Sequence, residues 1–297
     1  RDSWASRGLG DVYKRQPIDR IIENVEVVQD ATSSIDKIYE ILEHDEYLED
    51  YDSGIKLEKV RGKIEFRNVW FAYEAENWIL KDVSFTINPG ESIALVGKTG
   101  SGKTTITNLI NRFYTIQKGE ILLDDININD INLKSLRKSI GTILQDPFIF
   151  AKSIKDNIKL YSNTSDEKIG EAVKLASATD FINLQNNGIN EIAAERGNSY
   201  SAGQKQLIAF ARIFAQDPSI FILDEATANI DTTTEELIQK SVDKISAKKT
   251  SIFIAHRLST IVNVDKIIVL NKGKILEQGS HNAVSYTHLT LPTILLV

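Results

Sequence analysis

Ile18, Ile21, Val25, Val28, Ile35, Tyr39 and Leu42, with Thr32 in the same row, step by three and four along the first part of the chain. That spacing predicts one long helix from Pro17 to about His44, with a narrow seam suited to packing along another helix. Pro17 fits a first helical turn, where its missing N–H costs nothing. An acidic, turn-prone patch follows (Asp45, Glu46, Glu49, Asp50, Asp52, Ser53, Gly54) and reads as a linker.

From Lys63 the period changes. Ile64, Phe66, Val69 and Phe71 predict a strand ending at Tyr73. Val83, Phe85 and Ile87 alternate as a second strand, closed by the turn Asn88-Pro89-Gly90. Further strands are predicted over Ser92–Val96, Gly119–Leu123, Ile140–Leu144, Ile220–Leu223, Ser251–Ala255 and Lys266–Leu270. Helices are predicted over Thr105–Phe113, Leu133–Ser139, Ile154–Leu160, Asp166–Ala176, Ala202–Ala215 and Thr233–Ile245, and Asp124–Asn132 reads as loop. Strands alternating with helices predict a mostly parallel sheet covered on both faces, and residues 148–198 look like a helical insertion in an α/β domain.

The run Gly97-Lys98-Thr99-Gly100-Ser101-Gly102-Lys103-Thr104 falls between a predicted strand and a predicted helix. This is G-x-x-x-x-G-K-[ST] in its required context. Gly97, Gly100 and Gly102 let the backbone turn tightly with no Cβ in the way of a phosphate. The N–H groups from Lys98 to Thr105 and the helix N-terminus then face that anion. Lys103 reaches the β- and γ-phosphates, and the Thr104 hydroxyl binds Mg²⁺. A nucleoside triphosphate is therefore the expected ligand. Downstream, Ile220-Phe221-Ile222-Leu223-Asp224-Glu225 is an apolar strand ending in two acids. Asp224 is expected to hold Mg²⁺ through water, and Glu225 to polarise the water attacking the γ-phosphate.

Composition narrows the partners. The formal net charge is −6 over 297 residues with no basic block, which argues against nucleic acid. No cysteine is present, so a disulfide framework or thiolate zinc site is excluded. Methionine is also missing and no apolar run is long enough to span a bilayer. Both ends, residues 1–16 and 284–297, resemble translated sequencing-adapter tails and show no periodicity continuous with their neighbours. They are expected to be non-native, with the natural protein continuing beyond both. His44, His281 and His288 read as structural.

Asn198-Ser199-Tyr200-Ser201-Ala202-Gly203-Gln204-Lys205-Gln206 resembles the signature of the ATP-binding cassette (ABC) proteins, exporter type, commonly Leu-Ser-Gly-Gly-Gln. Ser201, Gly203 and Gln204 match; Tyr200 and Ala202 depart. Other family markers fall in order from about Pro17 to Ala283. Tyr73 matches the aromatic that stacks on adenine, a contact worth roughly 1–3 kcal/mol by analogy with base–aromatic stacking. Gln145 matches the glutamine that touches Mg²⁺ and the attacking water. Glu195-Arg196-Gly197 precedes the signature as in exporters. Ala228-Asn229-Ile230-Asp231 matches the D-loop, with Asp231 at the dimer seam, and His256 matches the switch histidine at the γ-phosphate.

The resemblance implies a P-loop NTPase (RecA-like) α/β core with an antiparallel β subdomain and a helical insertion over about 147–203, preceded by a long helix. It implies ATP and Mg²⁺ as cofactors, and a head-to-tail dimer with a second cassette, identical or not. Residues 17–53 would be a stalk and linker from a transmembrane domain, and 54–283 the nucleotide-binding domain. It would work at the cytoplasmic face of a membrane, bacterial inner membrane by expectation, powering efflux of an unidentified substrate. A soluble ABC ATPase outside transport is the alternative, as is one half of a heterodimeric exporter with a degenerate site.

Overall fold

The computed structural model describes residues 5–42, 53–160, 162, 164–224, 231–254, 263–281 and 283–284. The chain divides into two compact units, residues 1–51 and 52–297. The first contains α1, Ala5–Leu42, with Pro17 inside it. The helix thus starts well before the predicted Pro17, inside a stretch that shows no helical stripe. An apolar stripe reports amphipathic patterning rather than helicity, so a stretch can be helical without one. The predicted seam is exposed: Ile18, Ile21, Val25, Val28, Ile35, Tyr39 and Leu42 are all half or more accessible. Among the described residues no helix is long and apolar enough to cross a membrane. The predicted linker lies outside the described residues except for Ser53 and Gly54.

The second unit is built on two sheets. One is antiparallel, in the order β2-β1-β4-β5, from β1 (Ile64–Ala72), β2 (Trp78–Ile87), β4 (Lys118–Leu123) and β5 (Ile126–Asn127). The other has the order β10-β9-β3-β8-β7-β6, from β3 (Ser92–Val96), β6 (Ile140–Ile143), β7 (Ile220–Asp224), β8 (Thr250–Ile254), β9 (Lys266–Asn271) and β10 (Lys274–Gly279). β6, β7, β8, β3 and β9 pair in parallel, and β10 closes the edge antiparallel to β9. The predicted parallel sheet is present. The sequence pattern does not show β5 or β10: two residues are too few for a period, and β10 sets Ile275, Glu277 and Gly279 on its half-buried face and Lys274, Leu276 and Gln278 on its wet one, so neither face is consistently apolar.

Alternation along the central strands sorts two cores. Ile93, Leu95, Ile220, Ile222, Ile252 and Ile254 face one side, with the antiparallel sheet, α2 (Lys103–Ile110) and α3 (Leu133–Ser139). Ala94, Val96, Phe221, Leu223 and Phe253 face the other. There they meet α4 (Ile154–Lys159), α5 (Asp166–Leu175), α6 (Thr179–Asn183), α7 (Ala202–Gln216) and α8 (Thr232–Ser246). Ser153, Ser165, Ser201 and Asp231 cap four of these helices by accepting from backbone N–H groups of the first turn. α6, a single turn, escaped the pattern because five residues cannot show a helical face. Val284, assigned to a tail by its sequence, is fully buried in the second core, and its N–H bonds the Ser280 carbonyl.

Candidate functional site

Strand register brings the predicted segments to one edge. Leu95 pairs with Ile254, and Ile254 with Asp224; Leu223 pairs with Ile143. All four strands are parallel, so their C-terminal ends lie on one row. The phosphate loop begins two residues past that row, and Gln145 stands two residues past the end of β6. Glu225 and His256 follow β7 and β8 in sequence and lie outside the described residues. Crevices at the C-terminal ends of parallel strands are where open α/β sheets bind ligands.

The loop itself is tightly determined. Gly97 has φ +157°, and a Cβ there would run into the Leu270 carbonyl oxygen and lie 2.7 Å from Ser101 Oγ. Gly102, at φ +107°, starts α2, and a Cβ there would meet Leu80 Cδ2 at 2.6 Å. Lys103 is buried, and its ammonium donates to the carbonyls of Gly97 (2.6 Å) and Lys98 (3.3 Å), folding back over the loop. Thr104 is exposed. Ser101 Oγ is buried and has no hydrogen-bond partner. A glycine cradle that a Cβ would fill, an orphaned hydroxyl and a lysine over the loop fit a triphosphate.

Tyr73 stands beside this loop. Its hydroxyl shares a 3.2 Å hydrogen bond with Thr105 Oγ1, and the residue is 47% exposed. Phe71 and Tyr114 hold it edge-on, with ring centroids at 4.8 and 4.9 Å. Two perpendicular rings thus brace Tyr73 while nearly half of the residue stays open to stacking. On β7, Ile220 and Ile222 face the α2 side, so Asp224 falls on that side by alternation.

The signature segment is placed differently. Ser201 and Gln204 form a reciprocal capping box: Gln204 N–H donates to Ser201 Oγ (3.2 Å) and Ser201 N–H to Gln204 Oε1 (3.0 Å). Asp231 accepts from Thr234 N–H at 2.9 Å; that bond and the Thr234 hydroxyl hold its carboxyl below the usual range. Among the described residues no hydrogen bond joins Ser201, Gly203, Gln204 or Asp231 to the loop of the same chain. Tyr200, the departure from leucine, is buried in the helical core 6.0 Å from the Phe181 ring. Burial and the Glu191 charge push its hydroxyl pKa up, and Ser199 pulls it back. Ala202, the other departure, is exposed.

Sequence reading missed three supports of the site. Tyr114 braces Tyr73. The β9–β10 turn underlies the loop: Gly273 N–H donates to the Ser101 carbonyl (3.2 Å), and the Gly273 carbonyl accepts from Lys81 N–H (2.8 Å). Gln206 reaches the backbone of Leu144 and Gln145. A glycine two residues after a strand and a polar residue inside an apolar helix are the signals that were available.

A family profile described as "ABC transporter" matches residues 80–228, half of the chain. The chain belongs to the ABC transporter family. It carries that family's ATP-binding domain, an ATPase domain, and its fold is that of the exporter cassette. Over 265 residues (89% of the chain, 45% of the relative) the cassette is 44% identical to exp8 of Streptococcus pneumoniae, by name an ABC transporter ATP-binding protein. It is also 44% identical to the Bacillus subtilis "Probable multidrug resistance ABC transporter ATP-binding/permease protein YheH", over 90% of the chain and 39% of that protein. A solved bacterial Atm1-family ABC exporter with ATP bound matches with TM-score 0.79 at 33% identity, covering 92% of the chain and 48% of the exporter. The chain therefore spans less than half the length of each.

Proposed function

We propose that this cassette hydrolyses Mg-ATP as one half of a head-to-tail pair and that the pair powers efflux by an exporter. The observation that carries the reading is the strand row: Leu95, Ile254 and Asp224 in register put the phosphate loop and the β6, β7 and β8 ends on one edge. Tyr73 stacks on adenine, while Lys103 and the loop amides from Gly97 to Thr105 hold the phosphates. Thr104, Asp224 and Gln145 would hold Mg²⁺, which would neutralise phosphate charge there. Glu225 is the base for the attacking water and His256 contacts the γ-phosphate.

The signature supports the pairing. Among the described residues Ser201–Gln204 makes no hydrogen bond to the loop of its own chain, yet its helix start offers a hydroxyl and amides to an anion. A second cassette's loop is the partner that completes it, with Asp231 at the seam. Residues 17–53 act as stalk and linker from a transmembrane domain, and 54–283 as the cassette, at the cytoplasmic face of the membrane. The names of the B. subtilis relative and the solved exporter support transport over a soluble role.

Glu225→Gln tests the reading. The variant should bind ATP with wild-type affinity and accumulate as a closed dimer, with turnover down by at least about a hundredfold, the lower range for losing a general base. Equilibrium ATP binding, size-exclusion light scattering and phosphate release measure the three. Unchanged turnover removes Glu225 from its role. Retained ATP binding by Lys103→Ala removes the loop.

A further inference from the structure

Gln206 lies in the second turn of α7, in a helix otherwise buried through apolar contacts. It is 1% exposed. Its amide nitrogen donates to two consecutive carbonyls, Leu144 at 3.3 Å and Gln145 at 3.0 Å. In an extended strand successive carbonyls point to opposite sides. One nitrogen can serve both only where the chain has turned, so the two bonds fix both peptide planes around Gln145. Outside the strand ladder no other described residue hydrogen-bonds to Leu144 or Gln145. Lys205, the residue before Gln206, adds an outer contact to Asp146 at 4.0 Å. The Gln145 side chain itself is exposed.

The same helix begins with the Ser201–Gln204 capping box. One rigid element therefore carries the segment offered to a second cassette at its tip, and one turn later grips the backbone of Gln145. We propose that Gln206 is a positioning residue: it aims Gln145 by clamping these two carbonyls, and it makes that aim follow any movement of α7. The inference rests on the role given above to Gln145. It adds a residue that touches neither nucleotide nor metal and acts through the backbone.

Two substitutions of similar volume separate clamp from filler. Gln206→Met keeps the bulk and loses both donors; Gln206→Glu places oxygens against two carbonyl oxygens. In the nucleotide-free chain, amide hydrogen exchange over residues 144–148 should accelerate about tenfold in both variants, the order expected for two neutral hydrogen bonds. Exchange in β3 and α2 should not change. With Mg-ATP, kcat should fall about tenfold with KM for ATP within about twofold, because the loop and Tyr73 are untouched. In a Gln145→Ala background, Gln206→Met should add no further loss. Unchanged exchange over 144–148 overturns the clamp, and acceleration throughout the chain assigns Gln206 to the core alone and also overturns it. Additive losses, or KM rising with kcat falling, overturn the action through Gln145. The exchange result needs no hydrolysis, so a chain without ATPase activity would sink the proposed function and leave the clamp separately decided.

Discussion

Gly97 and Gly100 show how differently two glycines of one loop are constrained. A Cβ on Gly97 would collide with the Leu270 carbonyl and crowd Ser101 Oγ, whereas one on Gly100 meets nothing within 4 Å. Gly100 still has φ +78°, which costs a non-glycine residue about 1–2 kcal/mol. Gly97→Ala should therefore lower ATP affinity by well over about tenfold, because the loop must open to admit the methyl group. Gly100→Ala should lower it by about tenfold, from the backbone cost alone. Fluorescent-nucleotide titration of both variants checks the order, and equal losses would show that contact with β9 does not shape the loop. Tyr200 shows the same rule on the other side of the sheet. Its ring takes a core position against Phe181, so this departure from the signature is a packing substitution, while the exposed Ala202 changes the surface.

At the scale of elements, β3 must deliver the loop at a fixed height. Asp265, at the entry to β9, accepts from Ser92 N–H (2.8 Å) and Ser92 Oγ–H (2.6 Å), and Asp265 N–H donates back to Ser92 Oγ (3.1 Å). The hydroxyl first, then the amide, hold the Asp265 carboxyl below its ordinary pKa. A carboxyl depressed in the folded state binds protons more readily when unfolded. Its stabilisation is therefore complete above the unfolded value, about 3.9, and is lost as pH falls through the folded value. Because the side chain is largely exposed, Asp265→Asn should cost only about 1 kcal/mol near neutral pH. That difference should shrink as the pH drops below about 4. Urea unfolding of both proteins across that range measures it; a gap that widens in acid would reverse the assignment. On the other face, α7 reaches α4 through Arg212, whose guanidinium donates to the Asn157 carbonyl (2.7 Å) and Oδ1 (2.9 Å). Burial lowers its pKa to about 10, a cation kept in the core by carbonyl oxygens alone among the described partners.

For the whole molecule, the proposed pairing turns on what the tip of α7 presents. Ala202 is exposed in the first turn, just past the cap. A glutamate there suits the helix dipole and should leave the fold intact or slightly more stable. The same charge would face the triphosphate held by a second cassette. Ala202→Glu should therefore keep ATP binding by the single chain and abolish the ATP-driven dimer in a Glu225→Gln background. Light scattering with and without Mg-ATP reads the result. A dimer that persists would place the second chain's nucleotide elsewhere. ATP acts as a switch in this scheme because it binds the closed pair better than the open one.

Local chemistry decided what could be read directly from the chain. Gly97–Thr104 declares itself through residue types that a phosphate cradle needs at fixed spacing. β1 and α7 declare themselves because burying one face forces a period, and β3 and β7 because a strand covered on both faces reads as a continuous apolar run. The order of the family's markers brought Tyr73, Gln145, Ser201 and Asp231 into one reading. Tertiary structure decided what depends on residues far apart in the chain. Register, a matter of hydrogen bonding between β3, β8 and β7, set Leu95, Ile254 and Asp224 on one row. Only packing could reveal the Tyr114 brace, the Gly273 turn beneath the loop and the bonds from Gln206 to Leu144 and Gln145, since each joins segments distant in sequence. Helix α1 marks the opposite limit: it extends back to Ala5 through residues with no apolar stripe, because backbone hydrogen bonding makes a helix and a stripe records only its amphipathicity.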